Sequence, residues 1–235
     1  MAISAFRQQT ALTVLLLLLT LLLFELTDAD RMFEHLLYNT VSHQWLLDAH
    51  NALLKGIFYD GIKRLLILAA LLLAALLVFS RRSPWVERYR RPLKILLLSL
   101  LVVPSVVGAL KAVTDMPCPR NFADFGGELP YFKLLQHHLT GAEHFACFPA
   151  GHASGGFALL ALVFFFAGKW QQWLAAVAPL TVGWVMGLYK MAIGHHFLSH
   201  TIISMLLAWL LILYIARFTY HGLPDISVVW RRTRC

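Results

Sequence analysis

The chain has 235 residues, of which 59% are hydrophobic and only 14% are charged, and its net charge is +8. Soluble domains are about half apolar and about a quarter charged, so this composition argues against a soluble protein and predicts a membrane protein. The basic residues cluster at the ends of apolar runs, which favours membrane orientation and anionic lipid headgroups over nucleic-acid binding. We therefore expect one all-α, polytopic membrane domain over residues 1–235, with no nucleic-acid partner.

Six apolar stretches approach the roughly 20 residues that a membrane-spanning helix needs. They predict a bundle of six transmembrane helices at residues 9–27, 61–80, 93–114, 153–169, 172–193 and 198–219. The first stretch follows a single basic residue, Arg7, and no small-residue cleavage pattern comes after it. We interpret it as a retained membrane helix and not as a signal peptide.

The segment 28–60 lies between the first two predicted spans and has apolar residues at helical spacing. These residues are Phe33, Leu36, Leu37, Trp45, Leu46, Leu53 and Leu54. The pattern predicts amphipathic helices that lie at the membrane interface.

Charge between the spans predicts the orientation of the bundle. Five arginines stand in the link 81–92, and the tail from Arg217 is also basic. The positive-inside rule places both in the cytoplasm, so six spans put both termini inside and the loops 28–60, 115–152 and 194–197 outside. Cys118 and Cys147 share one of these outer loops, where they could form a disulfide; two unpaired thiols are the alternative.

Polar groups at membrane depth are costly, and ionisable ones are candidates for function. The outer side of the predicted bundle has eight: Lys111, Arg120, His152, Ser154, Lys190, His195, His196 and His200. Each has a plainer alternative, because a lysine can snorkel to the interface and a histidine can be a core or surface residue. His196 and His200 share a helical face, as zinc ligands do, but no third ligand is fixed by the pattern.

The stretch "PAGHASGG" opens the fourth predicted helix. A helix start has unpaired N–H groups and a positive dipole end, and the glycines, Gly151 first, let an anion approach the backbone. Lysines and an arginine add positive charge, while histidines supply a nucleophile and a proton donor. The whole set suits phosphoryl transfer without a metal.

The stretches "KAVTDMPCPR", "PAGH" and "YKMAIGHHFLSH" resemble, in order and spacing, the three motifs of the type 2 phosphatidic acid phosphatase superfamily, the lipid phosphate phosphatases. Those motifs are Lys-x6-Arg-Pro, Pro-Ser-Gly-His and Ser-Arg-x5-His-x3-Asp, and the resemblance covers about residues 60–220. It implies that His196 is the nucleophile and His152 the general acid. It further implies that Lys111 and Lys190 hold the phosphate.

Four positions depart from the family motifs. Cys118 stands in place of the arginine of the first motif, and Arg120 is the candidate to supply the guanidinium. Ala150 replaces the serine of the second motif, with Ser154 as a partial substitute. In the third motif Lys190 replaces arginine, without its bidentate fork. His200 replaces the aspartate that orients the nucleophile, and it can still accept a hydrogen bond from His196.

The resemblance implies a hydrolase of the bacterial inner membrane, in a divergent bacterial branch of the family, with its active site on the periplasmic face. The expected substrate is a lipid phosphate or diphosphate, such as an isoprenoid diphosphate, a phosphatidylglycerol phosphate or a lipid A phosphate. No cofactor and no metal are expected. The alternatives are a phosphotransferase, a non-catalytic protein that binds anionic lipid, and a zinc-dependent membrane hydrolase.

Overall fold

The computed structural model describes residues 3–80, 82–136 and 144–221. Helices dominate this part of the chain, which also has one small antiparallel hairpin of β1 (Tyr38–Asn39) and β2 (Gln44–Trp45). The helices are α1 (Ile3–Leu26), α2 (Ala29–His35), α3 (Ala52–Lys55), α4 (Ile62–Phe79), α5 (Pro84–Thr114), α6 (Gly151–Ala158), α7 (Lys169–Ala192) and α8 (Leu198–His221).

Five helical stretches of the described chain are long and apolar enough to cross a membrane: Ile3–Leu26, Ala52–Phe79, Pro84–Asn121, Lys169–Ala192 and Leu198–Tyr220. The second joins α3 and α4 through a π-helical turn, Gly56–Gly61. The prediction of an all-α, polytopic membrane protein is therefore confirmed. The sixth predicted span, 153–169, is a shorter apolar segment, Gly151–Phe165. A bundle of six crossings, and the orientation derived from it, stay predictions.

The segment Gly151–Phe165 is the central helical segment of the bundle. It packs against α5, α7 and α8, and Ala153, Phe157 and Ala161 are fully buried. Its second half is a 3-10 helix, which rises about 2.0 Å per residue, so the segment reaches roughly 26 Å. Contact with α7 is close, since a Cβ on Gly156 would lie 2.7 Å from the Cα of Gly183.

The loop 28–60 forms the predicted amphipathic helices only in part. Helix α2 is present, but Trp45 belongs to the hairpin, where its ring packs on Tyr38 and Phe125. The second long helical stretch begins at Ala52, earlier than the predicted residue 61, because the side chain of Asn51 accepts hydrogen bonds from the first-turn N–H groups. Long-range aromatic packing and a helix cap therefore decide the structure here.

The three loops that were predicted to share one side of the membrane meet at one end of the bundle. The Arg120 N–H donates to the carbonyl oxygen of Gly194 (3.1 Å), and the Leu47 N–H donates to that of Ala192 (3.0 Å). An aromatic cluster fills the space between the loops; it contains Tyr38, Phe122, Phe125, Phe148 and Phe197. The loops form a cap over the helix ends that hold the candidate site.

Candidate active site

Five motif residues lie on helix ends that meet under the cap. Lys111 is in the last turn of α5, His152 in the first turn of α6, Lys190 in the last turn of α7, and His196 and His200 bracket the start of α8. The turn between α7 and α8 needs a glycine. Gly194 has a φ of +71°, and the Trp45 ring leaves no room for a Cβ there.

The imidazole rings of His152 and His196 lie on opposite sides of a small gap, with their centroids 6.3 Å apart. His196 is only 3% exposed. The Nδ1 atoms of both rings are buried and have no hydrogen-bond partner among the described residues. A buried imidazole and a partly buried one, each with an unpaired ring nitrogen, are groups that can attack a phosphorus atom and transfer a proton.

The histidines of the α7–α8 turn are held in their neutral form. Burial lowers the pKa of His196 well below its usual 6.5, and the nearby His200 and Lys111 lower it further. Burial also lowers the pKa of His195 to about 3, with Lys190 next in effect. A neutral imidazole has the lone pair that a nucleophile needs, so His196 is in the reactive form at neutral pH.

His200 is bound to the loop that precedes α6. Its Nδ1 lies 3.0 Å from the carbonyl oxygen of Cys147, so Nδ1 is the donor and the ring's lone pair is on Nε2. The hydrogen bond expected from His196 to His200 is not formed, and the two ring centroids are 5.8 Å apart. His200 thus has the acceptor nitrogen of an orienting residue without making the bond.

Three cations surround the histidines. Lys111 lies over the start of α6, since a Cβ on Gly151 would be 3.8 Å from the Lys111 Nζ. The Arg120 Nη1 lies 2.9 Å from the His195 Nε2 and donates to it. The Lys190 Nζ is 4.1 Å from the centroid of the Tyr59 ring. Together with the N–H groups at the start of α6, these cations make a site for an anion.

The departures at Cys118 and Ala150 also have structural outcomes. Cys118 forms a disulfide with Cys147, with 5.2 Å between the Cα atoms, so it cannot replace the phosphate contact of the motif arginine. Ser154 donates its hydroxyl hydrogen to the carbonyl oxygen of Gly151 (2.7 Å), inside the helix. Its oxygen still has lone pairs, but its proton is used by α6.

Sequence reasoning missed two residues of the site, Tyr59 and Lys63. The Tyr59 ring lies against His152, with centroids 4.4 Å apart, and Lys63 lies close enough to His152 to act on its charge. They are four residues apart, at the end of a long apolar helical stretch that faces the site. Residues four apart share one face of a helix, and this spacing was the sequence signal that could have identified them.

An apolar groove leads from the site into the bundle. It is a cavity of about 520 Å³ between α4 and α5, lined by Leu66, Ala70, Leu97 and Leu101 among others. At its polar end stand Lys63 and His152. A cationic end joined to an apolar trough is complementary to a molecule with an anionic head and a hydrocarbon chain.

The PAP2 superfamily matches the chain over residues 92–222, more than half of its length. The chain belongs to the PAP2 superfamily. This confirms the resemblance read from the three motifs, and with the apolar helices it makes the chain a membrane protein of the phosphatase type. No curated protein matches it, and no solved structure does. The PAP2 match includes Lys111, His152, Lys190, His196 and His200, whereas Tyr59 and Lys63 lie outside it.

A zinc site at His196 and His200 would need a third ligand. Within residues 3–80, 82–136 and 144–221, no three His, Cys, Asp or Glu side chains are grouped so that they could hold a metal ion. The described part of the chain therefore offers no complete ligand set for the zinc-dependent alternative.

Proposed function

We propose that the chain is an integral-membrane phosphatase that hydrolyses a lipid phosphate or diphosphate through a phosphohistidine, without a metal. The observation that carries this proposal is the placing of His152 and His196 across a 6.3 Å gap, with Lys111, Arg120 and Lys190 around them. Histidines alone would be compatible with a structural role. Histidines between three cations at a helix start are suited to phosphoryl transfer.

The proposed reaction has two steps. In the first, the lone pair of neutral His196 attacks phosphorus, the bond from phosphorus to the lipid oxygen breaks, and His152 donates a proton to that oxygen. In the second, His152 takes a proton from water, whose oxygen attacks the phosphohistidine, so that phosphate leaves and His196 is restored. Lys111, Arg120 and Lys190 stabilise the charge on the phosphoryl oxygens in both steps.

A lipid is the proposed substrate because of the groove between α4 and α5. Its apolar lining suits a hydrocarbon chain, and its polar end at Lys63 brings the headgroup to His152. Isoprenoid diphosphates, phosphatidylglycerol phosphate and lipid A phosphates all have this chemistry. The groove runs along two helices that are long enough to cross the membrane, so a lipid would reach it from the bilayer.

The proposed site is periplasmic. Arg88, Arg90 and Arg91 lie in the first turns of α5, at the end opposite to Lys111. The positive-inside rule assigns that basic end to the cytoplasm, and hence the histidines to the outer face of a bacterial inner membrane. The Cys118–Cys147 disulfide supports the same side, because disulfides persist in oxidising compartments.

A non-catalytic protein that binds anionic lipid is the second candidate. One observation favours it: His196 has no hydrogen-bond acceptor on Nδ1 among the described residues, so its ring lacks the orienting partner of the family motif. A phosphotransferase is a variant of the first candidate, in which a second lipid and not water accepts the phosphoryl group from His196.

The deciding experiment measures phosphate release from a panel of lipid phosphates by the purified protein with chelator present. We expect activity in wild type, a loss of about 1,000-fold or more in His196→Ala and His152→Ala, and wild-type rates in the control His50→Ala, whose side chain is exposed on the loop before α3. An acid-labile phosphorylated protein should appear with wild type and not with His196→Ala.

Other outcomes would point elsewhere. Activity that survives in His196→Ala, or that disappears in chelator, would refute the mechanism. A phosphorylated lipid product in place of free phosphate would show a transferase. Lipid binding without turnover, unchanged by His196→Ala, would show the non-catalytic alternative.

A further inference from the structure

Helix α2 extends a carboxylate into the start of α8. The Ser199 N–H donates to Asp30 Oδ1 at 2.8 Å, and the Ser199 hydroxyl donates to Asp30 Oδ2. Asp30 is only 8% exposed. Both carboxylate oxygens thus accept hydrogen bonds from one residue that lies far away in sequence.

Ser199 belongs to the turn that holds the two histidines. It is three residues after His196 and one before His200. The Ser199 N–H is in the first turn of α8, where N–H groups have no acceptor within the helix, and a carboxylate there is favoured by the helix dipole. Asp30 therefore fixes the position of this turn from outside the residues that match the superfamily.

The turn has a second anchor on another element. The Cys147 carbonyl oxygen accepts from His200 Nδ1, so α8 is tied both to α2 and to the loop before α6. Asp30, Ser199 and His200 also line one small cavity of about 30 Å³. His196 itself makes no side-chain hydrogen bond within the described residues through Nδ1, so its position depends on the backbone that these two anchors hold.

The contact is costly for stability, which argues that it serves another purpose. No lysine or arginine of the described chain forms an ion pair with Asp30. Burial raises the pKa of Asp30 from 3.8 to about 6, although the bonds from Ser199 act against that rise. A buried carboxylate without a cation is usually less stable than an apolar residue in its place.

We infer that Asp30 is a positioning residue for the proposed phosphatase reaction, holding the turn with His196 and His200 through Ser199. Its carboxylate acts on this turn through Ser199 and makes no hydrogen bond to His196. This inference rests on the proposed function. Asp30 touches no substrate, so its effect is on the rate of the chemical step and not on binding.

The test compares Asp30→Ala, Asp30→Asn and Ser199→Ala with the control Asp28→Asn. Asp28 is at the start of the same helix but is exposed and pairs with Lys133 at 3.2 Å. We expect Asp30→Ala to lower kcat for phosphate release about tenfold or more, with KM unchanged, because it removes charge-assisted hydrogen bonds. Asp30→Asn and Ser199→Ala should each have smaller effects. The double variant Asp30→Ala, Ser199→Ala should have the same kcat as Asp30→Ala alone.

A second measurement does not depend on turnover. Diethyl pyrocarbonate modifies neutral imidazoles, and mass spectrometry gives the rate at each histidine. Modification of His196 should be slow in wild type and about tenfold faster in Asp30→Ala, because a loosened turn exposes the ring more often. His144, which is exposed, serves as the internal reference and should react equally in both.

Each outcome decides the matter. Unchanged kcat and unchanged modification of His196 in Asp30→Ala would overturn the inference, as would a rise in KM alone. If Asp30→Ala does not fold, Asp30→Asn and Ser199→Ala carry the same test. If wild type releases no phosphate, the proposed function fails, and the modification rates alone decide whether Asp30 positions His196.

Discussion

The phenol ring of Tyr59 packs against the imidazole of His152 at a tilt of 42°, with 4.4 Å between the ring centroids. The Lys190 Nζ lies 4.1 Å from the centroid of the same phenol ring. Tyr59 therefore links the proposed general acid of the second motif to Lys190, the proposed phosphate ligand of the third. It lies in the π-helical turn Gly56–Gly61, outside the residues that match the superfamily. The site is thus completed by a residue that the motifs do not include.

Replacing Tyr59 should separate the role of its ring from that of its hydroxyl group. Tyr59→Ala removes the surface under His152 and the cation–π contact of Lys190, so we expect kcat/KM for phosphate release to fall about tenfold. Tyr59→Phe keeps the ring and should stay close to wild type. Equal losses in the two variants would show that the hydroxyl group matters and that the ring contacts do not.

Arg120 should act as the guanidinium that Cys118 cannot supply. Its Nη1 donates to His195 Nε2, which holds it beside the histidine turn. We expect Arg120→Ala to raise KM for a lipid phosphate about tenfold or more, because a charge-assisted contact to the phosphoryl group is lost. Arg120→Lys should recover part of the loss. Substrate titrations against Arg64→Ala, an exposed arginine of α4, provide the control. An unchanged KM in Arg120→Ala would show that Arg120 only holds His195 and does not bind the phosphoryl group.

Much of the fold could be predicted because its strongest signals are local. Long apolar runs predict membrane helices from composition alone, and the predicted range 198–219 agrees with α8 to within two residues at each end. The superfamily motifs also predicted which helix ends would meet. Because the motif residues must act on one phosphoryl group, the motifs predicted that His152 and His196 would lie near each other. This prediction needed no knowledge of the loops.

The remaining features depend on contacts between distant segments. Trp45 is in a hairpin because its ring packs on Gly194, which is far away in sequence. The segment that starts at Gly151 is enclosed by other helices, a property that its own composition does not express. In the sequence Asp30 is only a polar residue in a polar loop, because its contact with Ser199 joins segments that are far apart in the chain. Single-sequence patterns do not contain this information.

The Cys118–Cys147 disulfide should contribute to both stability and activity. It joins residues with a sequence separation of 29, for which the chain-entropy estimate is about 3.6 kcal/mol. The Cys147 carbonyl also holds His200, so loosening the loop should lower kcat. We expect the double variant Cys118→Ala, Cys147→Ala to have a lower thermal midpoint and a lower kcat than wild type. Wild type treated with reductant should show the same two decreases. Cys235→Ser is the control. An unchanged midpoint would show that the loop is held by its aromatic contacts.

Glu34 should make the protein less stable as the pH rises. It is fully buried, both carboxylate oxygens lack partners among the described residues, and burial, followed by the charge of Asp30, raises its pKa from 4.5 to about 9. Between these values the folded state binds a proton that the unfolded state has released. Stability from this group is therefore complete below about pH 4.5 and is lost as the pH rises towards 9, by up to about 1.4 kcal/mol per pH unit.

Glu34→Gln removes this titration, so its thermal midpoint in detergent, relative to wild type, should rise steadily between pH 5 and pH 9. The matched control is Glu87→Gln, because Glu87 is mostly exposed and its loss should leave the pH dependence of wild type unchanged. A difference between Glu34→Gln and wild type that stays constant across this range would mean that Glu34 does not hold its proton in the folded state.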